Sequence, residues 1–166
     1  MRKRLSILFV FAGIAFMMYS TSCTKCDDEA VALTIKNAII KGDALANLDL
    51  SNDTNQNGGF EIQLEKVPNG IKIFARINSM DLDPNPSNMI DYQDITYETS
   101  VDNGKFEVTV QAGQGNVPVT ILADDFEYNQ KINDSTWEWK VFSLQNQNLT
   151  VINNQVKYNN LQFNTN

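Results

Sequence analysis

From residue 31 onward apolar side chains recur at every second position, and no long window keeps the i, i+3, i+4 spacing of an amphipathic helix. The pattern therefore predicts strands. The clearest is 105–112, KFEVTVQA, where Phe106, Val108, Val110 and Ala112 share one face and Lys105, Glu107, Thr109 and Gln111 the other, as in a half-buried antiparallel strand. Asp102-Asn103-Gly104 precedes it, and 95–101 precedes that; Asn-Gly supplies the positive φ angles of a type I′ turn, so the two runs are expected to form a hairpin. Segment 71–77 puts Ile71, Ile73, Ala75 and Ile77 on one face, with Phe74 opposite them and placed to cover a sheet edge. In 117–123, Pro118 lacks an N–H and belongs at the strand's start or on an edge. Further strands are expected over 31–35, 38–50, 60–64, 136–142, 147–152 and 155–163, with Asn153-Asn154 turning the last two into a terminal hairpin. Two loops interrupt the pattern: 51–59, SNDTNQNGG, which has no apolar residue and is expected to be mobile, and 80–91, which holds two prolines. Short runs separated by turn signals predict an all-β antiparallel sandwich over 31–166.

The first residues follow a different rule. Arg2, Lys3 and Arg4 are followed by an apolar stretch over 5–19, then by Ser20, Thr21 and Ser22 before Cys23, the plan of a secretory signal peptide. The stretch falls short of the ~20 residues a helix needs to cross a bilayer core, and acids follow it rather than a cluster of Lys and Arg. The Ser-Thr-Ser-Cys junction resembles the cleavage box of bacterial lipoproteins, in the looser form of Bacteroidetes-type bacteria. That resemblance implies a leader helix within 1–22, lipidation of Cys23, and an outer-membrane address. Each buried CH₂ contributes about 0.8 kcal/mol, so two or three acyl chains hold a soluble domain on a membrane. Behind the cysteine, Lys25, Asp27, Asp28 and Glu29 look like the Lys-plus-acids signal that sends such lipoproteins to the outer surface. Residues 23–30 are then an acidic tether, in which Cys26 is an incidental thiol.

Composition narrows the chemistry. The chain has no histidine and only two cysteines, which removes most metal sites and every Ser-His-Asp or Cys-His nucleophile. Acids outnumber bases 20 to 13, and loss of 1–22 leaves ten bases against twenty acids. Nucleic-acid backbones and anionic lipid surfaces are disfavoured as partners; calcium and cationic partners remain permitted. No cofactor is expected.

Four groups deserve weighing as sites. Asp81, Asp83 and Asn85 stand at alternate positions like the opening of a calcium loop, but Pro86 replaces the turn glycine and Tyr92 the closing glutamate. Asp124 and Asp125 end a strand, where one would cap a turn. Trp137 and Trp139 share a strand face; they are expected to fill the core, and if they point outward they would form a stacking platform for sugars with Tyr92, Tyr97 or Tyr128. Ser135, in Asp134-Ser135-Thr136, resembles the short O-glycosylation sequence of envelope proteins in these bacteria.

Segments 39–50, 67–81, 92–112, 117–130 and 141–161 together resemble small Bacteroidetes lipoproteins with a transthyretin-like, carboxypeptidase-regulatory-like (Ig-like) β-sandwich; the string from Thr99 through Val108 carries most of the likeness. The resemblance implies a fold and an envelope address, not a chemistry. The expected role is a lipid-anchored, non-catalytic binding or structural module facing outward, with the membrane, a glycan or an envelope protein as partner. Two alternatives stand beside it: a fimbria-like adhesin subunit that assembles by strand addition, and an envelope hydrolase working through carboxylates.

Overall fold

The computed structural model describes residues 35–165; the leader, Cys23 and the acidic tether lie outside them, as does the strand expected over 31–35 except for Ile35. The described chain is all-β, with two sheets and only two short 3-10 turns. The eleven strands are β1 (Lys36–Ala46), β2 (Glu65–Lys66), β3 (Lys72–Asn78), β4 (Asp94–Ser100), β5 (Lys105–Ala112), β6 (Val117–Ala123), β7 (Phe126–Asn133), β8 (Thr136–Leu144), β9 (Gln147–Val151), β10 (Val156–Tyr158) and β11 (Leu161–Thr165).

The larger sheet has seven strands, ordered β10-β1-β11-β8-β7, with β5 and β2 also paired to β1; the smaller is ordered β4-β3-β6-β9. Alternation sets which faces meet. Ala38, Ile40, Ala44 and Ala46 of β1, with Phe106, Val108 and Val110 of β5, turn toward Ile73, Ala75 and Ile77 of β3 and Val117, Val119 and Ile121 of β6, all in one buried cluster. At the β7-β8-β11 end the cluster is aromatic: Phe126 stacks on Phe142 with centroids 5.3 Å apart and meets Phe163 edge-on at 5.4 Å. Burying side chains of this size stabilises by roughly 1.5–3 kcal/mol each.

Gly42 decides how β1 receives its partners. The run 156–163 lies parallel to β1 in one register, Ile39 opposite Val156 and Ala44 opposite Leu161, but breaks at Asn159-Asn160, where its backbone presses on β1. A Cβ on Gly42 would stand 2.1 Å from the Asn159 carbonyl oxygen, so only glycine fits.

The antiparallel expectation needs correction here, because β10 and β11 both pair with β1 in parallel. The expected hairpin of 95–101 with 105–112 also does not form. Its turn is as read, with φ of 50° at Asn103 and 72° at Gly104 and Asp102 and Lys105 exchanging backbone hydrogen bonds of 2.8 and 2.9 Å. Beyond the turn, however, β4 pairs with β3 and β5 with β1, in different sheets. The terminal hairpin fails in the same way: Asn154 has φ of 58°, yet β9 pairs with β6 while β10 and β11 join β1. Phe74 covers no edge, since β3 lies between β4 and β6.

Residues 61–64 form no strand, and Phe60 makes only an isolated bridge with Thr54. Loop 51–59 is knit to its surroundings through Asp53, which is 2% exposed and accepts hydrogen bonds from Asn47 Nδ2 and the Gln63 amide, both at 2.7 Å. Pro118 sits where β6 meets β9 but β3 has not yet begun to pair, a local edge as its missing N–H requires.

Candidate functional site

The outer faces of the two sheets differ. On the smaller sheet, β3, β4, β6 and β9 carry no exposed large apolar side chain among the described residues; Lys72, Arg76, Thr96 and Glu98 stand there, with Lys72 and Glu98 paired at 2.8 Å. The larger sheet carries Tyr158, Val156, Val141, Trp139 and Trp137 exposed on its strands. Register places them on one face: Tyr158 is opposite Lys41 on β1, and Trp137, Trp139 and Val141 are opposite Lys131, Asn129 and Glu127 on β7.

The tryptophans thus overturn the expectation of core filling. Trp137 is 51% exposed and Trp139 72%. Parity is the reason: Phe142 and Leu144 take the inward positions of β8, so 137, 139 and 141 must point out. Side chains two apart on a strand lie about 7 Å from each other, so the two indoles form a short ladder. The tyrosines read as their companions are elsewhere. Tyr128 is opposite Lys140 on the other face of the hairpin, Tyr97 lies in β4 of the smaller sheet packed on the core, and Tyr92 is in a loop. Ser135 is exposed at the tip of the β7–β8 hairpin, its amide and hydroxyl both donating to Asn133 Oδ1.

At the other end of the same face lies a cleft of about 710 Å³, between β1 and β10 on one side and the turn after β4 on the other. Tyr158, 72% exposed, stands at its rim, with Lys41 Nζ 5.4 Å from the ring centroid and 3.7 Å from Glu107. Asn160 closes one wall, its Oδ1 accepting from the Asp43 amide at 3.0 Å. The opposite wall is the turn 102–105, tied down where the Asn103 amide donates to Asn69 Oδ1 at 2.7 Å and Lys66 Nζ donates to Asn103 Oδ1 at 3.2 Å. Asp43, Asp102 and Glu107 bring three carboxylates to the cleft; Asp102 and Glu107 are exposed and Glu107 is paired. Sequence reasoning missed this site. The alternation of Val156 and Tyr158 around Lys157 was its one visible signal.

The remaining candidates are loop-forming. Asp83 accepts the Tyr92 hydroxyl at 2.6 Å and the Asn85 amide at 2.8 Å, so both of its oxygens serve the loop; Tyr92 is its partner and Asn85 contributes a backbone amide. These bonds, the Tyr92 hydroxyl first, hold the Asp83 carboxyl below its ordinary range, and Asp83 in turn pushes the Tyr92 phenol up. Asp81 lies in the 3-10 turn Ser79–Leu82. Among the described residues no three acidic side chains gather as metal ligands would. Asp49 is held below its ordinary range by the Ser51 hydroxyl and amide and by Lys131. Asp124 begins the connection from β6 to β7, its amide donating to the Lys72 carbonyl. Cys23, Lys25, Asp27, Asp28 and Glu29 lie outside the described residues.

No protein-family model matches the chain, and neither a curated protein nor a solved structure matches it.

Proposed function

We propose that this chain is a lipid-anchored envelope protein whose transthyretin-like sandwich serves as a non-catalytic binding module on the outer surface of the outer membrane. The observation that carries the binding role is the one-sided placement of exposed aromatics on the larger sheet. Leaving an indole in water forgoes roughly 1.5–3 kcal/mol of burial, a sacrifice the fold does not need when its core is already filled by Phe126, Phe142 and Phe163. The address rests on Arg2, Lys3 and Arg4, the apolar stretch 5–19 and Cys23, with Lys25, Asp27, Asp28 and Glu29 as the export signal. A hydrolase is the weaker reading because a general acid needs a desolvated carboxyl, whereas Asp102 and Glu107 face solvent.

Fractionation of cells carrying Cys23→Ser tests the address: the variant is expected in the soluble envelope fraction, and wild-type retention on membranes would sink it. Protease shaving of intact cells after Lys25, Asp27 and Asp28 are changed to Ala tests outward display, which unchanged accessibility would contradict. One observation favours a second reading, assembly by strand addition: β4 pairs only with β3, leaving a seven-residue edge unpaired among the described residues.

A further inference from the structure

Resting on the reading of the chain as a binding module, we infer that the cleft beside Tyr158 binds a saccharide bearing no anionic groups. Its volume of about 710 Å³ lies within the ~300–1,000 Å³ of small-molecule sites. Charge excludes one class of occupant. Asp43, Asp102 and Glu107 outnumber Lys41 and Lys105, and Lys41 is already engaged by Glu107 and the Tyr158 ring. An anion entering here meets more carboxylate than free amine, on a chain that is acidic as a whole.

Polarity excludes a second. A wholly apolar ligand would strip water from these carboxylates, from Lys105 and from the amides of Asn103 and Asn160 without replacing its hydrogen bonds. A saccharide offers what both groups of lining atoms require: hydroxyls that donate to carboxylates and accept from amines and amides, and a face of C–H bonds to lie on an aromatic ring. Tyr158 is that ring. Its exposure leaves it no core role, and Lys41 Nζ stands over the ring at 5.4 Å from its centroid. The walls are fixed beforehand, by the close seat of the Asn159 backbone on Gly42, by the Asn103 amide donating to Asn69 and by Lys66 donating to Asn103, so binding orders little backbone.

The test uses the full chain in detergent, probed on an array of neutral, amino-bearing and sulfated oligosaccharides, with the bound members titrated by calorimetry at low and high salt. Binding to neutral members, insensitive to salt, is expected, and binding to amino-bearing members is expected to weaken as salt screens their ammonium groups from the carboxylates. Tyr158→Ala should weaken it about tenfold or more, while Tyr158→Phe keeps it within about threefold. Circular dichroism melting of both variants should match wild type, because the side chain lies outside the core. Binding to none of the array, binding to sulfated members only, or indifference to Tyr158→Ala overturns the inference. If binding survives Tyr158→Ala but is lost when Trp137 and Trp139 are both changed to Ala, the cleft is the wrong site while the binding module stands.

Discussion

Gly42 is the residue on which the centre of the larger sheet turns. Any side chain there meets the Asn159 backbone, which cannot swing away because the Asn159 amide donates to the Lys41 carbonyl at 2.9 Å and Asn160 holds the Asp43 amide. Gly42→Ala is expected to cost about 2–3 kcal/mol, seen as a lower urea midpoint, and to loosen the cleft wall with it; an unchanged midpoint would mean that the Asn159 backbone yields easily. Tyr92 and Asp83 make a second residue-scale case, with a sign that can be worked out. The Asp83 value is lowered, so its contribution is present above the ordinary carboxylate value of about 4 and is lost as pH falls through the lowered value. The Tyr92 value is raised, so its contribution is present below about 10 and is lost as pH rises through the raised value. Tyr92→Phe should move the Asp83 midpoint up toward the ordinary range in a carbon-detected NMR titration of the carboxyl; an unmoved midpoint would contradict the bond.

At the scale of elements, what was legible was local. Strands β5 and β6 end where alternation ends, at 105–112 and 117–123: apolar residues fill the inward positions of both, and the outward positions of β5 are all polar. Asn103-Gly104 and Asn154 were legible as turns because few residues adopt positive φ. Neither turn could say which sheet its strands would join. That choice belongs to distant partners, β3 for β4 and β1 for β5, and no window of sequence contains it. Strand β7 is not legible in the sequence because Gln130 occupies one of its inward positions, buried at 5% exposure with Nε2 donating to the Asn47 carbonyl. In 60–64 the error was reversed: Phe60 and Ile62 alternate correctly, yet both remain exposed because no neighbouring strand receives them. The tryptophans were misplaced for a related reason. Average burial favours an indole inside, but the parity of β8 was set by Phe142 and Leu144.

For the whole molecule, the asymmetry of the two sheets gives orientation a meaning. One outer face is polar and ion-paired, and the other carries Trp137 and Trp139 at one end and Tyr158 beside a cleft at the other. A surplus of acid disfavours contact of such a body with anionic lipid, so the proposed membrane residence would have to come from elsewhere in the chain. We assign that role to acylation at Cys23, and the proposed outward presentation of the aromatic face depends on that modification. Intact-mass and peptide mass spectrometry of the protein recovered from its native envelope tests this most directly. The account predicts a chain that begins at Cys23 and carries two or three acyl groups; a chain that begins elsewhere, or an unacylated Cys23, would contradict it.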